Sequence, residues 1–178
     1  GEALRVLGVT GTNGKTSSTH FLAQLLERLG HRTGLCGTLG NGFLGDLSAT
    51  GLTTADPVTV QRSLARLRDA GAEYVAMEVS SHALDQARVN GVGFEGALFT
   101  NLTREHLDYH ADMAASGEAK RQLFLDPHLA IAALNFDDPW GCRLAETIPA
   151  AVERVGYGLA TPNADVRAES VRYGPSGL

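Results

Sequence analysis

Short apolar runs alternate with longer stretches of helical periodicity along this chain. Residues 5–10 form an apolar run that predicts a buried strand. Leucines at spacings of three and four residues follow this run and predict an amphipathic helix, which Gly30 ends. The apolar face of this helix consists of Leu22, Leu25, Leu26 and Leu29.

Downstream of a Gly-rich loop over residues 40–51, Asp56 and Pro57 predict the start of a second helix that ends near Gly71. Its apolar face consists of Val60, Leu64 and Leu67. The remaining pattern predicts extended segments at 74–79, 96–100, 129–134, 152–156 and 164–173, and helices at 120–124 and from 138 to 144. This alternation favours an α/β fold with a mostly parallel, doubly wound sheet and helices on both faces.

The composition is that of one globular domain. The chain has 178 residues, of which 43% are hydrophobic and 20% charged. Its net charge of −5 argues against a nucleic-acid partner, and it lacks the apolar stretch of roughly 18 residues that membrane insertion requires. The two cysteines, Cys36 and Cys142, are too few for a disulfide framework, so we expect the reducing cytoplasm.

Glycine is unusually frequent, with 21 residues. Clustered glycines are typical of places where the backbone must come close to a ligand or to another segment. They therefore indicate where a binding site is to be expected. The first residue is Gly1, and a strand begins a few residues later. We therefore expect one domain, cut from a larger protein.

A phosphate-binding loop is the clearest chemical feature of the sequence. Residues 11–16, with the sequence GTNGKT, lie between the first strand and the first helix. Such a turn offers backbone N–H groups and the positive end of a helix dipole to an anion. The strict phosphate-loop motif places glycine where this chain has Val9, so the match fails by one position, and a Gly-rich turn with a chance lysine is the alternative. We predict an ATP-type site contacted by Gly11, Thr12, Asn13, Gly14, Lys15, Thr16 and Ser17.

A magnesium ligand is predicted at the end of the strand over 74–79. Glu78 stands there, and ligands of open parallel sheets collect beyond the carboxyl ends of the strands. Carboxylate and hydroxyl oxygens suit Mg²⁺, so Glu78 and Thr16 are the candidate ligands. A solvated or salt-bridged glutamate is the alternative reading of Glu78.

The loop GTNGKT resembles that of the Mur ligases, the ATP-dependent amide-forming enzymes of peptidoglycan synthesis. Three further segments resemble signature segments of the family: MEVSSHAL at 77–84, FTNLTREHLDYH at 99–110 and NFDDP at 135–139. The resemblance covers the chain from the first strand to about Asp138. It implies that residues 1–178 are part of a single central ATP-binding domain, with an N-terminal uridine-nucleotide domain and a C-terminal amino-acid domain outside this chain.

The resemblance also implies a reaction. The 77–84 and 99–110 segments are similar to those of family members that extend UDP-N-acetylmuramoyl-L-alanyl-D-glutamate. ATP would phosphorylate the side-chain carboxylate of the D-glutamyl residue, and the amine of meso-diaminopimelate or L-lysine would then attack the acyl phosphate. The residues alone do not say which amino acid is added. Such a reaction depends on cations and positioned donors more than on a protein nucleophile.

Specific residues take roles in this implied reaction. Lys15, Lys120 and His106 are the implied catalytic residues. His106 is implied to contact a second magnesium, with His82 and His110 as competing candidates, and Lys120 is implied to be carbamylated and to act as an anionic oxygen ligand. The implied contacts of the UDP-MurNAc-dipeptide are Thr53, Thr54, Ser80, Gln86 and Arg88.

One local departure from the family affects the helix that carries Lys120. Ser116 stands where the family commonly has tyrosine, and Gly117 follows where a helix former is usual. We therefore expect a weak helix there.

Three alternative interpretations remain at the level of the sequence. A ligase similar to folylpolyglutamate synthase shares the fold and a related loop, although residues 80–82 argue against it. A nucleotide-binding module without ligase activity is the second, and a doubly wound domain without a nucleotide site is the third.

Overall fold

The computed structural model describes residues 4–103 and 112–171 of the protein. The strands are β1 (Arg5–Thr10), β2 (Thr33–Gly37), β3 (Gly40–Phe43), β4 (Asp46–Ser48), β5 (Tyr74–Glu78), β6 (Phe94–Phe99), β7 (Ile131–Asn135), β8 (Glu153–Gly158) and β9 (Val166–Arg167). The helices are α1 (Lys15–Arg28), α2 (Pro57–Asp69), α3 (Ser81–Asp85), α4 (Met113–Arg121) and α5 (Pro139–Thr147), and a short 3-10 turn spans Gln122–Leu125.

The described strands form one sheet in the order β4-β3-β2-β5-β1-β6-β7-β8-β9. All neighbouring pairs are parallel except β2–β3 and β3–β4. The predicted mostly parallel α/β sheet is therefore confirmed. After β1 the chain moves to one side of the sheet, and β6 then joins β1 on its other side. This reversal creates a crevice beyond the carboxyl end of β1, where doubly wound sheets bind ligands.

The second predicted helix forms as its pattern indicates. The Asp56 carboxylate accepts hydrogen bonds from the backbone N–H groups of Val58 and Thr59 at 3.0 and 3.1 Å, which caps α2. Its predicted apolar face, Val60, Leu64 and Leu67, is buried in the core. Asp138 caps α5 in the same way through the N–H of Trp140 at 2.8 Å.

The apolar face predicted for α1 is largely wrong. Leu25 and Leu29 are 56% and 66% exposed, whereas Ala23 is completely buried. Ala23 packs with Leu35 of β2 and Ala76 of β5, and these small contacts let the helix lie close to the sheet. The row of buried residues on α1 is therefore set by small side chains, which the leucine spacing does not reveal.

The Gly-rich loop predicted over residues 40–51 contains a β-hairpin. Strands β3 and β4 pair in antiparallel fashion and extend the sheet beyond β2. Their sequences, GNGF and DLS, have low strand propensity, so pairing with β2 rather than local preference decides their conformation. The predicted helix at 120–124 is divided between the end of α4 and the 3-10 turn.

Helix α4 tolerates Gly117 because of its packing. A Cβ at this position would lie 2.4 Å from the ring of Trp140, so only glycine lets α4 and α5 approach this closely. No helix within the described ranges is both long and apolar enough to span a membrane.

Candidate functional site

The phosphate-type loop connects β1 to α1 at the crevice. Gly14 adopts a left-handed conformation, with φ of 84°, directly before the first residue of α1. The Lys15 ammonium donates hydrogen bonds to the carbonyls of Gly11 and Thr12 at 2.8 and 2.7 Å. The loop therefore folds around its own lysine, and the positive end of α1 adds to this charge.

The residues that follow β6 fix the shape of this loop. The Asn101 side chain accepts a hydrogen bond from the Asn13 N–H and donates one to the Asn13 carbonyl, both at 3.0 Å. The Thr12 N–H donates to the Asn101 carbonyl at 2.8 Å. A Cβ on Gly11 would lie 1.9 Å from Thr100 Oγ1, so the loop passes closer to β6 than any other residue would allow. No sequence pattern predicts these contacts of Thr100 and Asn101, although both residues lie directly after β6, at the same end of the parallel strands as Glu78.

Glu78 and Thr16, the two predicted magnesium ligands, are brought together. Glu78 is only 2% exposed, and Thr16 Oγ1 donates a hydrogen bond to its carboxylate at 2.9 Å. A carboxylate and a hydroxyl, side by side beneath a phosphate-type loop, supply the hard oxygen donors that Mg²⁺ prefers. Glu78 is therefore not a solvated surface carboxylate, and within the described residues its hydrogen-bond donors are the neutral hydroxyls of Thr16 and Thr38 and the Thr38 backbone N–H.

A cleft of about 270 Å³ joins this loop to Thr53, Thr54, Ser80 and Arg88, four of the five residues implied to contact the acceptor dipeptide. We call their side of the cleft the acceptor wall. Both lysines of the sequence, Lys15 and Lys120, line the cleft. Its other walls are Gly11, Thr12, Leu52, Thr53, Thr54, Ser80, Ser81, His82, Arg88 and Ser116. Eight predicted site residues thus share one cavity, and Gln86 contacts one of its walls through Arg88.

The acceptor wall is held by a buried threonine. Thr54 Oγ1 donates to the Glu78 carbonyl at 2.9 Å and accepts from the Ser80 N–H at 3.0 Å. Ser80 in turn caps α3 through the N–H of Ala83 at 3.2 Å. The residues that end β5 and begin α3 are therefore locked to the segment before α2.

Arg88 is hydrogen-bonded to its own side of the cleft. A guanidinium can grip a carboxylate or phosphate through two N–H groups, and here two N–H groups of Arg88 donate to the Gln86 side-chain oxygen at 2.8 and 2.5 Å. A third group donates to the Thr54 carbonyl at 2.9 Å. Arg88 therefore organises its own wall of the cleft, and a ligand anion would have to compete with Gln86.

Lys120 is almost completely buried, with 3% of its surface exposed. Its ammonium donates to Ser116 Oγ at 2.7 Å, one helical turn earlier on α4. Ser116, the departure from the family pattern, thus contacts the predicted reactive lysine.

Several predicted residues lie away from the cleft or outside the residues that the structure describes. His106 and His110 lie outside the described residues, whereas His82 lines the cleft. Ser17 is exposed on the first turn of α1. Among residues 4–103 and 112–171, no group of three or more His, Cys, Asp or Glu side chains could hold a metal ion. Of the predicted magnesium ligands, Thr16, Glu78 and Lys120 are among the described residues.

A phosphate-type loop at the reversal point of a mostly parallel sheet, with a buried carboxylate on the neighbouring strand, defines an α/β nucleotide-binding domain. The chain belongs to the Mur ligase family, since the Mur ligase middle domain matches residues 9–178. It is 54% identical over 176 residues to the UDP-N-acetylmuramoyl-L-alanyl-D-glutamate–2,6-diaminopimelate ligase of Alkalilimnicola ehrlichii, covering 98% of this chain and 35% of the relative.

Solved structures agree with this assignment. A UDP-N-acetylmuramoyl-L-alanyl-D-glutamate–2,6-diaminopimelate ligase superposes with a TM-score of 0.90 and 37% identity, over 99% of this chain and 36% of that one. The folylpolyglutamate synthase of Mycobacterium tuberculosis superposes with a TM-score of 0.67 over 89% of this chain and 45% of that one. At 17% identity, the second likeness shows a common fold alone. The chain spans about a third of the length of the ligases that it matches.

Proposed function

We propose that the protein containing this chain is an ATP-dependent amide ligase that adds 2,6-diaminopimelate to UDP-MurNAc-L-Ala-D-Glu. The observation that carries this proposal is the single cleft that joins Lys15 of the loop, the acceptor wall around Thr54, and Lys120. A phosphoryl transfer to a carboxylate needs its donor and acceptor in one such cavity, because positioning supplies much of the rate.

The chain's own residues divide the work between them. Lys15 and the first turn of α1 bind the nucleotide phosphates and offset the negative charge that opposes their approach to a carboxylate. Thr16 and Glu78, which are hydrogen-bonded to each other, would hold Mg²⁺, and the ion would offset negative charge on the transferred phosphoryl group. Thr53, Thr54, Ser80 and Arg88 shape the acceptor wall, and Gln86 orients Arg88.

The amino acid is proposed from the relatives rather than from the cleft. The similar ligase from Alkalilimnicola ehrlichii is named for 2,6-diaminopimelate, which favours this substrate over L-lysine. We propose in addition that residues 1–178 belong to a central domain, that flanking domains hold the uridine nucleotide and the amino acid, and that the protein acts in the cytoplasm.

Carbamylation of Lys120 is a further part of the proposal. Its burial and its position in the cleft support it, because a buried amine is shifted towards the neutral form that adds CO₂. The ammonium first loses one proton; the neutral amine then adds to CO₂, which forms an N–C bond, opens one C=O π bond and releases a second proton. The cation is thereby converted into an anionic oxygen ligand, with two protons released in all. His106 is proposed to act beside it at a second magnesium.

The test uses the full-length protein with ATP, Mg²⁺, UDP-MurNAc-L-Ala-D-Glu and 2,6-diaminopimelate. We expect one amide product and one ADP per turnover, with L-lysine in place of diaminopimelate as the matched comparison. ATP binding without any amide product would instead support a nucleotide-binding module. Extension of a folate but not of the muramoyl dipeptide would support the folylpolyglutamate synthase-like alternative.

A further inference from the structure

Thr38, directly after β2, contacts the Glu78 carboxylate through two separate groups. Its backbone N–H donates to Glu78 Oε1 at 2.8 Å, and its hydroxyl donates to Oε2 at 3.1 Å. Thr16 donates to Oε2 from the other side, so both carboxylate oxygens are held. A Cβ on Gly37 would lie 2.2 Å from Oε1, which means that the end of β2 is shaped around this carboxylate.

A second hydroxyl supports Thr38 from the acceptor wall. The hydroxyl oxygens of Thr38 and Thr53 are 3.1 Å apart. A carboxylate only accepts hydrogen bonds, and the Thr38 hydroxyl has one proton to give. That proton is directed to Glu78, so the Thr53 hydroxyl donates to Thr38. The result is a chain of hydrogen bonds that runs from Thr53 through Thr38 to Glu78.

We propose that Thr38 is a positioning residue that fixes the orientation of the Glu78 carboxylate for the magnesium ion of the bound nucleotide. This inference rests on the nucleotide site of the proposed function and adds to it a residue from a different strand. Mg²⁺ demands near-ideal octahedral geometry, so a carboxylate that can rotate is a poorer ligand. Loss of a hydrogen bond to a charged group corresponds to about a tenfold change in affinity.

The test compares hydroxyl-free and hydroxyl-bearing variants in the full-length protein. Thr38→Val and Thr38→Ala remove the hydroxyl, and Thr38→Ser keeps it. Thr33→Val is the matched control, because Thr33 stands at the other end of β2 and donates its hydroxyl to the His31 carbonyl at 3.0 Å. ADP affinity is measured by calorimetry in Mg²⁺ and in EDTA, and Mn²⁺ replaces Mg²⁺ for a parallel measurement by electron paramagnetic resonance.

We expect Thr38→Val and Thr38→Ala to weaken binding of the metal–ADP complex about tenfold while leaving ADP affinity in EDTA unchanged. Thr38→Ser and Thr33→Val should both stay close to wild type in the two conditions. The Mn²⁺ spectrum of the nucleotide complex should change in the hydroxyl-free variants alone.

Other outcomes overturn the inference in distinguishable ways. Equal weakening in Mg²⁺ and in EDTA, or failure of both hydroxyl-free variants to fold while Thr33→Val folds, would make Thr38 a structural residue. Unchanged metal-dependent affinity in a folded Thr38→Val protein would remove its positioning role while leaving the proposed function intact. A wild-type protein whose ADP affinity ignores Mg²⁺ would contradict the proposed metal site itself, and the role of Thr38 with it.

Discussion

The parallel strands all end at one side of the sheet, here called the carboxyl edge, and all begin at the opposite side, the amino edge. These two sides use polar side chains in opposite ways. At the carboxyl edge, Glu78 and Thr54 are buried, and Lys120 is buried in the cleft beside them. These side chains form hydrogen bonds with hydroxyl groups and backbone atoms. Burying charge in this way is costly, and it is characteristic of sites rather than of frameworks.

At the amino edge, charged side chains instead pair with each other near the surface. Arg5, at the start of β1, forms an ion pair with Glu95 and lies over the Tyr74 ring. The hydrogen bond from Arg5 lowers the pKa of Glu95, and the contact with His31 lowers the pKa of Glu73. These groups remain accessible to water, so their ion pairs change the free energy of unfolding only slightly. One edge of this sheet is therefore suited to binding ligands, and the other is suited to contact with solvent.

The largest effect is expected from Lys15→Met, which keeps the aliphatic stem and removes the charge. Loss of one preorganised electrostatic donor corresponds to a fall in product formation of about a hundred- to a thousandfold. The melting temperature should change little. Assay of the full-length variant checks both, and product formation at the wild-type rate would contradict the assignment of the loop.

Gly37→Ala tests the crowding at the carboxyl edge. The added methyl group would meet Glu78 Oε1 at 2.2 Å, so the carboxylate must move away from Thr16 and Thr38. We expect at least about a tenfold loss of product formation, measured by steady-state kinetics at limiting Mg²⁺.

Gly96→Ala is the matched control for Gly37→Ala on the other side of the sheet. Its Cβ would meet the end of the Leu7 side chain at 2.8 Å, a contact with no polar site group. We expect it to lower stability while leaving activity per folded molecule unchanged. Equal losses of activity in the two variants would remove the distinction between the edges.

Gly117→Ala should affect stability more than chemistry. The new methyl group would lie 2.4 Å from the Trp140 ring, and such overpacking costs about 1–3 kcal/mol in the free energy of unfolding. Trp140 is the single tryptophan of the sequence, which makes its fluorescence a local report in urea titrations of this chain. An unchanged unfolding midpoint would show that α4 and α5 do not pack as described.

The ion pair at the amino edge should contribute little. A double-mutant cycle of Arg5→Ala and Glu95→Ala is expected to give a coupling energy below about 1 kcal/mol, because both side chains are partly exposed. Product formation should stay at the wild-type level. A coupling of several kcal/mol would make the amino edge a structural centre of the domain.

Asp137 gives a smaller, pH-dependent effect. Its carboxylate accepts hydrogen bonds from the N–H groups of Leu159, Ala160 and Thr161, and these lower its pKa from 3.8 to about 2. Since the folded pKa lies below the unfolded value, the stabilisation is complete above pH 3.8 and is lost as the pH falls towards 2. Asp137→Asn should flatten this part of the curve of unfolding free energy against pH. A variant curve that runs parallel to that of the wild type would show that Asp137 does not cause this pH dependence.

Much of this architecture could be predicted because the informative signals are local. The structure confirms three elements that depend on neighbouring residues alone. These are the apolar strand before GTNGKT, the start of α2 at Asp56–Pro57 and the strand that ends at Glu78. The pairing of Thr16 with Glu78 also follows from a general rule, because adjacent parallel strands end at the same edge.

What could not be predicted depends on contacts between distant segments. No local pattern predicts the role of Thr38, because β2 forms through its pairing with β3 and β5, and this pairing brings Thr38 to Glu78. The exposure of Leu25 is similar in origin, since the close approach of Ala23 to Ala76 decides which side of α1 is buried. Local periodicity carries no information about either contact.

The most direct test of the carboxyl-edge site is a crystal structure of the full-length protein with Mn²⁺ and a non-hydrolysable ATP analogue. The anomalous signal of Mn²⁺ locates the metal independently of the phosphates. We expect a metal bound by Thr16 Oγ1 and the Glu78 carboxylate, with the terminal phosphates against residues 11–16 and beside Lys15. A metal peak away from both side chains, with phosphates that do not contact this loop, would contradict it.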